Sequence, residues 1–263
     1  MGERNKKRLS GMLKVDTRRM FTSRLFYIML AICLCMPILI LVMTTMMDGS
    51  VTVDPQTGVE TVVEGFDNAW QIIGTVGEND SGNMNMSMTS MLNINMLYFA
   101  VAVLVSIFVS EDFRSGYAKN IFTVRARKGD YVISKSVVCS FVGAFMLLAF
   151  FIGSVIGGSI SGLPFDMVGF NALSLTMSII SKIMLVPIFV SFSLVMSVIG
   201  KHKLWLSMLL SLCCTMFLFN IAPMVSPLNS SIINVVMCGA GGLLFLIGMG
   251  IISKQILKKT SLV

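Results

Sequence analysis

Residues 25–47 read LFYIMLAICLCMPILILVMTTMM, and Asp48-Gly49-Ser50 follows them. No charged side chain interrupts the run, so a helix built on it, rising about 1.5 Å per residue, is long enough for the roughly 30 Å hydrocarbon core of a bilayer. It exceeds the ~7–15 apolar residues of a secretion signal. No small-x-small cleavage site follows it. The stretch therefore predicts a retained membrane span, kinked at Pro37.

Working outward, the rest of the chain repeats this character. Its 263 residues are 55% hydrophobic and 13% charged, with mean hydropathy +0.85. A soluble domain is about 25% charged, so an ordinary water-soluble fold is excluded. Disorder is excluded by the same apolar content. Further apolar runs lie at about 93–110, 136–160, 183–199, 204–222 and 232–252. Six spans of about 22 residues use roughly 130 residues, which leaves no space for a separate soluble catalytic domain. The fold class is thus an all-α membrane protein, a six-transmembrane-helix bundle forming one domain over 1–263. Lys182 is expected to snorkel at the outer boundary of the fourth span, with 169–181 as an outer helical lead-in.

Charge gives the orientation. Eight basic residues precede the first span, six lie between Arg114 and Lys135, Lys201 and Lys203 flank His202, and Lys254, Lys258 and Lys259 lie near the end. Segment 47–92 is the reverse, carrying Asp48, Asp54, Glu60, Glu64, Asp67, Glu78 and Asp80 with no Lys or Arg. Basic loops stay cytoplasmic. The reading places both termini in the cytoplasm of a multi-pass cell-membrane protein and leaves 47–92 as a long outer loop between spans one and two. Residues 1–24 read as a cytoplasmic interfacial helix, with Leu9, Met12, Leu13, Met20 and Phe21 on one face and Lys14, Arg18 and Arg19 on the other. Val51–Val53 and Val59–Val63 read as strand-like pieces around a hairpin turn at 54–58.

The missing chemistry is as informative. The glycine-rich stretch 157–162 has no following Lys and sits in apolar sequence, so it is helix packing rather than a phosphate loop. His202 is the single histidine and has no paired carboxylate nearby, which supports neither a triad nor a metal cluster. The six cysteines all lie in apolar runs, so no disulfide framework is expected. The predicted spans contain no Asp or Glu in their apolar interiors. Ion-coupled carriers place such groups at mid-membrane. The chain shows no fuel of its own and does not read as an enzyme.

Residues 111–135 read EDFRSGYAKNIFTVRARKGDYVISK: an acidic span end, a glycine break, a short amphipathic helix and a basic return to the membrane. Ile121, Phe122 and Val124 give an apolar edge, while Arg125, Arg127 and Lys128 give charge. Such a helix is suited to a groove on another protein. Glu111, Arg114, Gly116, Lys119-Asn120-Ile121, Arg127, Tyr131 and Ser134-Lys135, taken with the order of the spans and the basic first helix, resemble the permease subunits of type-2 ABC exporters over nearly the whole chain. Tyr117 departs from the small or β-branched residue common there, the Val124–Lys128 stretch lacks the frequent proline, and the loop between the fifth and sixth spans is short. The resemblance implies that 111–135 is a cytoplasmic coupling segment, with Glu111, Arg114, Gly116, Lys119, Asn120, Ile121, Phe122, Arg125, Arg127, Lys128 and Tyr131 facing an ATPase subunit. It further implies a second permease copy, identical or related, and ATP with Mg²⁺ bound in the partner ATPase alone. Members of similar length handle peptide antibiotics, in immunity or export.

The seven acidic residues of 47–92 (Asp48, Asp54, Glu60, Glu64, Asp67, Glu78 and Asp80) are candidate contacts for a hydrophobic or cationic antimicrobial peptide, because uncompensated negative charge attracts such molecules. Two other readings stay open. Met84, Met86, Met88 and Met91 offer soft thioethers suited to Cu(I), or simply an apolar edge near the membrane. The chain also suits a membrane sensor or scaffold that transports nothing, with the outer segment as receptor.

Overall fold

In a computed structural model the chain is a bundle of long helices, described over residues 2–53, 60–62, 65–74, 92–124, 127–200 and 203–259. The helices are α1 (Gly2–Thr22), α2 (Arg24–Met47), α3 (Leu97–Arg114), α4 (Tyr117–Val124), α5 (Lys128–Ser161), α6 (Ala172–Gly200), α7 (Leu204–Phe219), α8 (Ala222–Val225) and α9 (Ile232–Lys259). Strands β1 (Val51–Val53) and β2 (Glu60–Val62) pair antiparallel, with Val51 opposite Val62. The strand-like pieces read from the sequence therefore do form a hairpin. Its connecting residues lie outside the described set, as do Asp54, Glu64, Glu78, Asp80, the Met84–Met91 stretch, Arg125 and His202.

Among the described residues, five helices are long and apolar enough to cross a membrane: α2, α3 with the 3₁₀ turn before it, α5, α6 and α9. This is the build of a multi-pass membrane protein. The apolar helix α7 has 16 residues, about 24 Å at 1.5 Å per residue, shorter than the other five. Residues 169–200 resolve into one continuous helix from Ala172, which runs through Pro187 without ending.

Contacts among the helix ends gather one set of them together, so the bundle has two chemically different ends. α1, α4, the C-termini of α3, α6 and α9 and the N-termini of α2, α5 and α7 make a basic end. The hairpin, the 3₁₀ turn Ala69–Ile72, the α5–α6 turn and α8 make the opposite, acidic end.

Two contacts set the packing. α2 crosses α5 where Gly153 and Gly157 leave room for backbone. A Cβ on Gly153 would lie 2.2 Å from the Leu34 carbonyl oxygen, and one on Gly157 would lie 2.8 Å from the Ile38 Cα. Pro37 sits in this crossing, so the expected kink residue packs against the two glycines. The second contact is a seam of hydroxyls. Ser106 of α3 donates to Ser211 of α7 at 2.8 Å, and Ser197 of α6 closes on Ser106 at 3.4 Å. Hydroxyl bridges of this kind hold apolar helices together where the hydrophobic effect between them is absent.

Lys182 corrects an expectation. It does not snorkel: it is 1% exposed, and its ammonium donates to the Ser226 carbonyl at 2.8 Å. The Tyr98 hydroxyl donates to the Lys182 carbonyl at 3.0 Å, and its ring stacks on Phe189 at 4.0 Å. The chain between α8 and α9 folds back over α6 and covers the amine.

Candidate functional site

The described carboxylates that meet cations inside the protein gather at the basic end. Asp16 arrives on α1, carried inward because Met12, Leu13, Met20 and Phe21 pack that face of the helix onto the bundle. Asp112 arrives in the last turn of α3, and Tyr131, Ser134 and Lys135 arrive on the first two turns of α5. Residues at i and i+4 share a helix face, which brings Tyr131 and Lys135 to one spot.

Lys135 bridges the two carboxylates. Its ammonium lies 3.0 Å from Asp16 Oδ1 and 2.7 Å from Asp112 Oδ2, and all three side chains are fully buried. Ser134 donates to Asp16 Oδ2 at 2.6 Å, and the Tyr131 hydroxyl donates to Asp112 Oδ2 at 2.9 Å. Arg19 donates to Asp112 Oδ1 at 2.8 Å. Two carboxylates thus face two cations and the cluster is neutral. That balance permits burial, since an unpaired charge in this setting is strongly destabilising. Burial disfavours the Arg19 cation, but Asp112 outweighs it with help from Tyr117 and holds the guanidinium above its ordinary range.

Helix α4 is tied to this cluster by rings. The Arg19 guanidinium lies over the Tyr117 ring at 3.8 Å, with the Lys135 ammonium 5.9 Å from the same ring. Phe122 meets Tyr131 edge-on at 5.4 Å, and Ala118 is buried between them and the core. A path of direct contacts runs from α4 through Tyr117 and Phe122 to Arg19 and Tyr131, and then through Asp112 and Lys135 to α1, α3 and α5. Tyr117, the departure noted in the sequence, is the residue that receives Arg19. A second tie joins α1 to the start of α5, where Arg8 donates to Asp130 at 2.7 Å. Lys128 reaches the Leu257 carbonyl of α9.

The expected coupling residues divide into two groups. Tyr131, Phe122 and Lys128 face inward to the contacts just described, and Ile121 is half-buried. Glu111, Arg114, Lys119, Asn120 and Arg127 are exposed around α4. Gly116 turns the chain between α3 and α4 at φ +74°, a conformation that favours glycine. The basic end therefore offers an exposed polar surface on a short helix whose inner face is locked to the bundle.

Of the expected acidic contacts, Asp48 closes α2 and accepts from the Gly65 amide at 2.9 Å. Asp67 is exposed beside the 3₁₀ turn, and Glu60 lies in β2. Sequence reasoning missed Asp16, Arg19, Asp112 and Lys135 as a unit. A signal existed: Asp16 is the single acid between Arg4 and Met47, on a helix whose other charged residues after Glu3 are all basic. All six cysteines are free, in keeping with their apolar settings. No protein-family model, curated protein or solved structure matches this chain.

Proposed function

We propose that the chain is the membrane permease subunit of an ATP-driven exporter of the type-2 ABC kind, with α7 as a sixth span and the basic end in the cytoplasm. The observation that supports this reading best is the contact path from α4 into the buried Asp16–Lys135–Asp112–Arg19 cluster. A helix seated on an ATPase transmits force only if it moves with the bundle. Ring contacts on one side of α4, reaching the ion pairs behind them, with exposed Glu111, Arg114, Lys119, Asn120 and Arg127 around it, give that combination. Basic-inside bias supports this orientation.

In this account the ATPase partner binds ATP and Mg²⁺, and its closure shifts α4. The cluster passes the shift to α1, α3 and α5, and a path opens beside a second permease subunit. The substrate class is a hydrophobic or cationic antimicrobial peptide, drawn by the uncompensated acidic segment 47–92. The test is co-expression with an ABC ATPase from the same host. The two proteins should co-purify, and ATP hydrolysis by the complex should rise with added cationic peptide. Purification of the chain free of that ATPase, or hydrolysis indifferent to peptide, contradicts the proposal.

A further inference from the structure

At the acidic end a cavity of about 370 Å³ opens between the 3₁₀ turn Ala69–Ile72 and the turn joining α5 to α6. Hydrogen bonds across the two segments build its frame. Ala69 N donates to the Pro164 carbonyl at 3.1 Å, Trp70 Nε1 donates to the Phe165 carbonyl at 3.1 Å, and Asn68 Nδ2 donates to the Asp166 carbonyl. Trp70 is further fixed by stacking near Phe151 and by an edge contact with Phe165 at 5.2 Å. The lining combines Trp70, Phe170, Val168 and Leu228 with two acidic residues, Asp67 and Asp166.

Neither carboxylate has an ion-pair partner among the described residues. Segment 47–92 contains no Lys or Arg, so the loop that borders the cavity cannot supply one either. Among the described residues, the cations lie at the basic end except Lys182, whose buried ammonium is engaged by Ser226. Asp67 and Asp166 are both exposed, so a cation that pairs with them here would come from outside the chain. Two carboxylates with an indole and an apolar wall suit a cation carried on an apolar stem, in which the charge pairs with acid and the stem packs on rings.

We propose that this cavity holds the lysine or arginine side chain of a cationic amphipathic peptide, the first point of contact for the substrate class named above. The inference rests on that reading of the substrate and sharpens it to Asp67, Asp166 and Trp70. Its test needs no ATPase, so failure here leaves co-purification of the complex standing, and failed co-purification leaves binding at this cavity measurable.

The experiment uses the full chain in phosphatidylcholine nanodiscs, with Trp205→Phe so that Trp70 is the single emitter. Three probes are titrated: a Leu/Lys amphipathic peptide, its Leu/Glu counterpart and n-hexylammonium. The Leu/Lys peptide should change Trp70 emission saturably, n-hexylammonium should compete with it, and the Leu/Glu peptide should do neither. Asp67→Asn with Asp166→Asn should weaken Leu/Lys binding about five-fold, as two partly exposed ion pairs allow. The same pair should remove most of the salt dependence of binding, a readout that a merely local distortion would leave in place. Equal affinity in the double variant, or equal binding of the Leu/Glu peptide, overturns the proposal. A Trp70 response to n-hexylammonium without one to the Leu/Lys peptide also overturns it, because the occupant would then be a free amine.

Discussion

Replacing Lys135 by methionine removes the one cation that touches both Asp16 and Asp112, at 3.0 and 2.7 Å. The shape of the stem is nearly kept, so the loss is electrostatic. Asp112 retains Arg19 and Tyr131, but among the described residues Asp16 keeps only the Ser134 hydroxyl and becomes a buried charge without a cation. Breaking a buried pair in this way costs about 3–5 kcal/mol. The structure also says which second change repairs it. Asp16→Asn restores neutrality and keeps an acceptor for Ser134, so Lys135→Met/Asp16→Asn should recover about 1.5–3 kcal/mol relative to additivity. Asp112→Asn restores the formal count too, yet it strands both Arg19 and Asp16, so it should recover nothing. The assay is unfolding in mixed micelles of rising SDS fraction, followed by circular dichroism. Stability of Lys135→Met within about 0.5 kcal/mol of the parent, a surface-like value, would refute the reasoning. Equal repair by the two asparagine variants would refute it as well.

Other outcomes follow from single contacts. Gly153→Val should loosen the α2–α5 crossing and destabilise by about 1–3 kcal/mol, because its Cβ meets the Leu34 carbonyl at 2.2 Å; the same micelle unfolding reads it. Arg19→Lys should cost about 1 kcal/mol, since a point ammonium cannot both pair with Asp112 and lie flat on Tyr117. Lys182→Met should leave stability within about 1–2 kcal/mol of the parent, the lost hydrogen bond to Ser226 being offset by removal of a buried charge without an acidic partner among the described residues. A large loss there would show that the ammonium is better satisfied than its single contact indicates.

The bundle was legible because apolar runs of membrane length separate cleanly from charged segments, and the α1 face of Met12, Leu13, Met20 and Phe21 follows helical spacing. Boundaries were less legible. The second apolar run stops near Ser110 and the third begins after Lys135, so Asp112 and Lys135 read as polar ends in water, whereas both helices continue and bury them. Burial of a charge depends on a partner that is distant in sequence. Asp16 and Lys135 lie on separate elements, and no local periodicity joins them. Lys182 was misread for the same reason, because the cover over it comes from Ser226. The α4 surface could be read directly, since Gly116 and the mixed apolar and basic residues after it mark a short helix between spans.

The central claim is that exposed α4 seats on an ATPase in the cytoplasm. A photo-cross-linking residue at Asn120, in vesicles containing this chain and its candidate ATPase, tests it most directly. The account predicts a nucleotide-sensitive adduct between α4 and the ATPase, formed on the cytoplasmic face. Labelling of position 120 from the opposite face, or adducts to lipid and to this chain alone, would contradict it.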